Sequence, residues 1–192
     1  MFHHVAHLDR FAPGIKVGMK LRKGDLVGYC GKTGTGSPHC HYEIMYQKPK
    51  KWSGYVFGMT LEQMKDIYSD PAEYLTGTLP MLSNSVGYVY GSPITNEAGQ
   101  KGFHPGVDLN WWSGAQDLGF EVRATTDGVV AYMGINPQDG SWGNHLWWEE
   151  TESLVLLYDN YLVQETEQSG QFALVFREEK HLVTAERAGL AA

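Results

Sequence analysis

Five residues in three short segments have types and spacings that could do chemistry together. They are His39 and His41 in His39-Cys40-His41, His104 and Asp108 in His104-Pro105-Gly106-Val107-Asp108, and His7 in Val5-Ala6-His7-Leu8. On a strand, side chains at i and i+2 point to one face, so His39 and His41 would project together and Cys40 would face away as a small buried hydrophobe. A third imidazole and a carboxylate from another segment could then complete a tetrahedral zinc site that keeps one position for water. Three protein ligands with an open position suit hydrolytic rather than structural zinc.

Each motif alone carries little. The i, i+4 spacing of His104 and Asp108 would put both on one face of a helix, but the intervening Pro105-Gly106 rules a helix out. The segment therefore reads as a loop, holding His104, that runs into a strand bearing Asp108. Against this stands the plain alternative of a surface turn with an unrelated His and Asp. His39 and His41 gain weight from the loop before them, Gly31 to Pro38, whose small residues let other backbone or a substrate come close.

The elements that must position these groups are mainly strands. Glycine is abundant, at 23 of 192 residues, and it punctuates short apolar runs, so the fold class is mainly β with an antiparallel scaffold. Residues 2–9 read as a strand with Val5 and His7 on one face and Ala6 and Leu8 on the other. Glycine turns at Val17-Gly18 and Lys23-Gly24-Asp25 follow, then a strand over 39–46. Thr60-Leu61-Glu62-Gln63 forms a capping box that opens a short helix to about Tyr68. Asp70-Pro71 starts a second short turn or helix through Leu75. Asp127-Gly128 reads as the turn of a hairpin joining 121–126 to 129–133, and 142–149 as another strand. Beyond Leu154 apolar runs, such as 154–158 and 172–176, alternate with acidic turns, and 184–192 reads as a terminal helix.

Composition excludes some functions. The net charge of −7 argues against nucleic acid as a partner, because phosphate binding needs concentrated Lys and Arg. No apolar run approaches the roughly 18 residues that span a bilayer, and Met1-Phe2-His3-His4 has no features of a secretory signal. Two cysteines, Cys30 and Cys40, imply no disulfide framework. Trp111-Trp112 and Trp147-Trp148 could line a groove, although one core and one half-exposed Trp in each pair is the plainer reading. His145 and His181 match no motif and read as surface or hydrogen-bonded structural residues. Lys48-Pro49-Lys50-Lys51 reads as a solvated loop that could favour an anionic wall polymer.

Three groups of segments resemble the lysostaphin/LytM-type zinc endopeptidases, which cut peptide cross-links in bacterial peptidoglycan. The first comprises Ala6-His7-Leu8, Val17-Gly18 with Gly24-Asp25-Leu26-Val27-Gly28, and Gly31-Lys32-Thr33-Gly34. The second is Pro38-His39-Cys40-His41-Tyr42-Glu43. The third is Gly102-Phe103-His104-Pro105-Gly106-Val107-Asp108-Leu109, followed by Val122-Arg123-Ala124, Asp127-Gly128-Val129-Val130 and Gly143-Asn144. The resemblance covers about half to two-thirds of the chain. It implies that His104, Asp108 and His41 hold Zn2+, with His7 and His39 flanking the water and the scissile carbonyl as catalytic residues. Zinc brings the pKa of its water to roughly 7, and an imidazole of similar pKa can accept a proton and return it to the leaving amine. The second imidazole would stabilise the oxyanion.

The order of the segments departs from the family. There the His-x3-Asp segment comes first and His-x-His last; here they are exchanged. Residues 1–75 therefore correspond to the family's C-terminal half and 87–150 to its N-terminal half, with a linker at 76–86 and an extension of unknown role at 151–192. The complementary halves favour a circular permutant, bridged through 46–86 by a connection with short helices, over a fragment of two domains. The implied partner is the peptide of bacterial peptidoglycan, with action at the cell wall or outside the cytoplasm. The alternative is an inactive wall-binding or regulatory module of the same fold, or an incomplete domain. Oligomeric state is left open.

Overall fold

The computed structural model describes residues 1–47, 56–75, 79–81, 83–96, 98–111, 115–135, 143–151, 161–165, 172–176 and 182–185. The chain divides into one unit over Met1–Thr151 and a second over Glu152–Ala192. In the first unit, a ten-stranded antiparallel sheet combines β1 (Phe2–Phe11), β2 (Lys20–Leu21), β3 (Leu26–Cys30), β4 (Cys40–Met45), β5 (Tyr68–Ser69), β6 (Ser85–Val86), β9 (Gly106–Asn110), β10 (Glu121–Arg123), β11 (Gly128–Ile135) and β12 (Asn144–Glu150). Its neighbours run β2-β11-β12-β1-β4-β9-β6, with β3 joining β1 to β10 and β5 edging β4. A separate two-stranded sheet pairs β7 (Pro93–Thr95) with β8 (Lys101–Phe103). The fold is mainly β, as expected.

The centre of the sheet is buried on both faces. On β4, Cys40, Tyr42 and Ile44 enter the hydrophobic core, while His41 and Glu43 alternate onto the opposite face and are also buried. Val5, Leu8, Ile44 and Leu146 are each fully buried, worth roughly 1.5–3 kcal/mol apiece relative to exposure. The short helix α1 (Leu61–Lys65) carries both bonds of the Thr60–Gln63 capping box. Asp70 caps a 3₁₀ turn, Pro71–Glu73.

Several expectations are corrected. The helix ends at Lys65, because Tyr68 pairs with Met45 in the sheet. The hairpin about Asp127-Gly128 does not form: β10 pairs with β3, whereas β11 pairs with β12 and β2. Gly128 lacks the positive φ that such a turn needs. It lies in the strand instead, where an added Cβ would sit 2.5 Å from the Glu149 carbonyl. Trp147 and Trp148 are both buried, because β12 is covered on both faces. Val5 and His7 do not share a face. The register of β1 slips between Val5 and Leu8, so Val5 and Leu8 both reach the core and His7 turns to the other side.

Parts of the expected linker belong to the first unit: Met81 is buried in the core and Ser85–Val86 pair with β9. In the second unit β13 (Tyr161–Glu165), β14 (Phe172–Phe176) and β15 (Leu182–Ala185) form an antiparallel sheet. Thr184 and Ala185 are therefore in a strand, not a terminal helix. The remainder of that expected helix, the run at 154–158, Lys48 to Lys51, Trp112 and His181 lie outside the described residues.

Candidate metal centre

The two distant motifs meet across a strand pair. β4 and β9 lie antiparallel with His41 directly opposite Asp108. The approach depends on Gly106, where a Cβ would stand 2.2 Å from the Tyr42 carbonyl oxygen. His104 sits in the turn between β8 and β9, with its ring 4.9 Å from that of His41 and nearly perpendicular to it. Asp108 Oδ1 lies 2.9 Å from His41 Nδ1, 3.2 Å from His104 Nε2 and 3.7 Å from His39 Nε2.

His41, His104 and Asp108 form a buried group whose ligand atoms all lie within 4.8 Å of one another, so these three could hold a metal ion. The hydrogen bonds behind the rings fit that role. His104 Nδ1–H donates to the Gly106 carbonyl at 2.8 Å, which leaves Nε2 as the lone-pair nitrogen of the neutral ring. His41 is turned the other way: Nε2–H donates to Glu43 Oε2 at 3.1 Å and Nδ1 faces Asp108. Two imidazoles and one carboxylate, with their outer nitrogens engaged, are a donor set suited to a divalent cation.

His7 and His39 stand beside this group, with ring centroids 4.6 Å apart. His7 has φ 63°, alone among the described non-glycine residues in being positive, and the bulge there is what aims its ring at the site. His7 Nδ1–H donates to the Thr33 carbonyl at 2.9 Å, and His39 Nδ1–H to the Ser37 carbonyl at 3.0 Å. Both rings thus present Nε2 as a proton acceptor. Cys40, between the two motif histidines, is buried in the core.

Electrostatics divide the imidazoles into two kinds. Burial, then the neighbouring His39 and His41 rings, push His7 down to about 3. Burial also lowers His39. Burial opposes charge on His41 too, but hydrogen bonds to Asp108 and Glu43 outweigh it and lift the ring to about 9. Burial alone would raise the Asp108 carboxyl; the hydrogen bonds from His104 and His41 prevail and hold it well below the usual carboxylate range. Glu43, also pushed up by burial, is drawn down to about 2 by His4 and His41.

Glu43, His4 and His145 were not among the sequence candidates for the site. Glu43 lies two residues after His41 and shares its face, a signal present in the spacing. His4 is its cross-strand partner on β1, and His4 Nδ1 lies 2.8 Å from Glu43 Oε1. His145 is fully buried rather than on the surface, with its ring 5.1 Å from those of His4 and Tyr132. Burial, then His4, hold it down to about 3.

The site opens onto a groove of about 690 Å³, lined by Thr35, His39, Tyr88, His104, Asp108 and Asn110 among others. Among the described residues no helix is long and apolar enough to cross a membrane. In comparisons with protein families, curated proteins and solved structures, nothing matched the chain.

Proposed function

We propose that the chain is a zinc-dependent peptidase of the lysostaphin/LytM type. It hydrolyses peptide bonds in bacterial peptidoglycan cross-bridges or stem peptides, with its two halves in permuted order. The observation that carries the proposal is the convergence of His41, Asp108 and His104 on one point, with His7 and His39 beside it, each ring held through Nδ1 by a backbone carbonyl. The resemblance of the surrounding segments supplies the substrate class, and a groove of about 690 Å³ offers room for an extended peptide.

His41, His104 and Asp108 would hold the ion. Bound zinc acts as a Lewis acid that acidifies water and polarises a carbonyl. The protein's own part is proton handling. A neutral imidazole of the His7/His39 pair takes the proton of the attacking water as oxygen bonds to the carbonyl carbon. It returns that proton to the amide nitrogen as the C–N bond breaks. The other ring would stabilise the developing oxyanion only once its Nε2 carries a proton to donate. The low basicity that burial imposes on His7 keeps it unprotonated at neutral pH.

The permuted order is supported by the sheet. Glu150 N–H donates to the Met1 carbonyl at 2.8 Å, so the end of β12 and the start of β1 lie side by side, where a short turn would join them in an unpermuted chain.

The test is zinc content and release of free amino groups from purified peptidoglycan. The parent protein carries stoichiometric zinc and releases amino groups. His104→Ala and Asp108→Ala lose both. His7→Ala keeps zinc and loses about a hundredfold or more in turnover. Zinc at full occupancy in either ligand variant would contradict the ligand assignment. Zinc without hydrolysis in the parent would instead indicate a wall-binding module.

A further inference from the structure

On the premise of that metal centre, we infer that Glu43 is a positioning residue for it, locked in turn by His4. The carboxylate is 3 % exposed and lies between two imidazoles, on the face of the sheet that carries the metal group. Its Oε2 accepts the Nε2–H of His41 at 3.1 Å, and its Oε1 accepts the Nδ1–H of His4 at 2.8 Å. A carboxylate only accepts, so the nitrogens facing it carry hydrogens. For neutral His41 this selects one tautomer, with the lone pair on Nδ1, the atom that faces Asp108.

Geometry makes the selection specific. His41 and Glu43 are two apart on β4, so their side chains rise from the same face. Without a partner on Nε2 the ring could rotate about its Cβ–Cγ bond or carry its hydrogen on Nδ1, and either change withdraws the ligand. His4, directly across from Glu43 on β1, occupies the other oxygen and fixes the carboxylate rotamer. The central strand thus links three elements: β1 supplies His4, β4 supplies Glu43 and His41, and β9 supplies Asp108. Neither Glu43 nor His4 touches the groove, so their effect passes through His41. An outer carboxylate of this kind is typically worth 10–100-fold in metal affinity.

The experiment measures zinc affinity by competition with a chromogenic chelator, and the visible spectrum of the cobalt(II) form, for Glu43→Ala and Glu43→Gln. Melting and circular dichroism establish how much of each sample is folded. We expect Glu43→Ala to weaken zinc 10–100-fold and to alter the cobalt(II) spectrum. Glu43→Gln should weaken zinc by only about fivefold, because the amide oxygen still accepts from Nε2–H but without the charge. Should the Ala variant fail to fold, the isosteric Gln variant carries the test by itself. Zinc affinity within twofold of the parent in every folded variant would overturn the positioning role, since a purely structural carboxylate changes stability and not affinity. The outcome is separable from the peptidase proposal. A parent that binds zinc but leaves peptidoglycan intact ends the latter only, and a parent that binds no zinc ends both.

Discussion

At His41 one imidazole is held between two carboxylates, Asp108 on Nδ1 and Glu43 on Nε2. In the metal-free protein both nitrogens therefore carry hydrogens up to about pH 9. A metal ion and this proton compete for Nδ1, so binding must expel the proton wherever the pH lies below that value. The sign follows: affinity rises with pH, by up to tenfold per unit, and levels off near 9. Calorimetric titration of zinc at pH 7.5, in buffers of differing ionisation enthalpy, should show about one proton released per ion. No release would mean that His41 is already neutral, or is not a ligand. His7 and His39 behave oppositely, because burial opposes their protonation more than the Thr33 and Ser37 carbonyls favour it.

Among the elements, β1 does the unusual work. Ten residues of regular strand would send His7 to the same side as Val5, into the core. The register shift and a left-handed backbone at residue 7 send it to the face that carries His41 instead. Such a conformation strains any residue with a Cβ. Replacing His7 by Gly or by Ala removes the ring equally, so the pair isolates the backbone cost. By urea denaturation His7→Gly should be about 1 kcal/mol more stable than His7→Ala. Equal stability, or an advantage for Ala, would show that the protein does not hold residue 7 at positive φ.

The same strand shows how far the sequence could be read. The alternation in β4 and the Pro-Gly interruption between His104 and Asp108 are local, and they place His41 and Asp108 on strands correctly. The capping box at Thr60 is local too. The bulge at His7 and the partner of β10 are decided by which strands lie alongside, which no local pattern encodes. Asp127-Gly128 has the composition of a tight turn, but the glycine serves close packing against Glu149. Glu43 is not legible as a site residue in the sequence, because a carboxylate two residues from a histidine gains meaning only once the opposing strand delivers His4.

In the whole molecule, β1 and β12, near the two ends of Met1–Thr151, pair within one sheet, and the metal group is assembled where β4 meets β9. The chain's own start and the end of β12 are neighbours. The proposed permuted order would keep all three ligands within one copy, whereas two separate fragments would need a second copy to supply the missing ligands. Native mass spectrometry of the zinc-loaded protein decides between these directly, with His41→Ala and His104→Ala measured alone and as a mixture. One ion per single chain, lost in each variant and not regained on mixing, is the predicted result. Zinc found only in dimers, or restored when the two variants are combined, would contradict a centre built from both halves of one polypeptide.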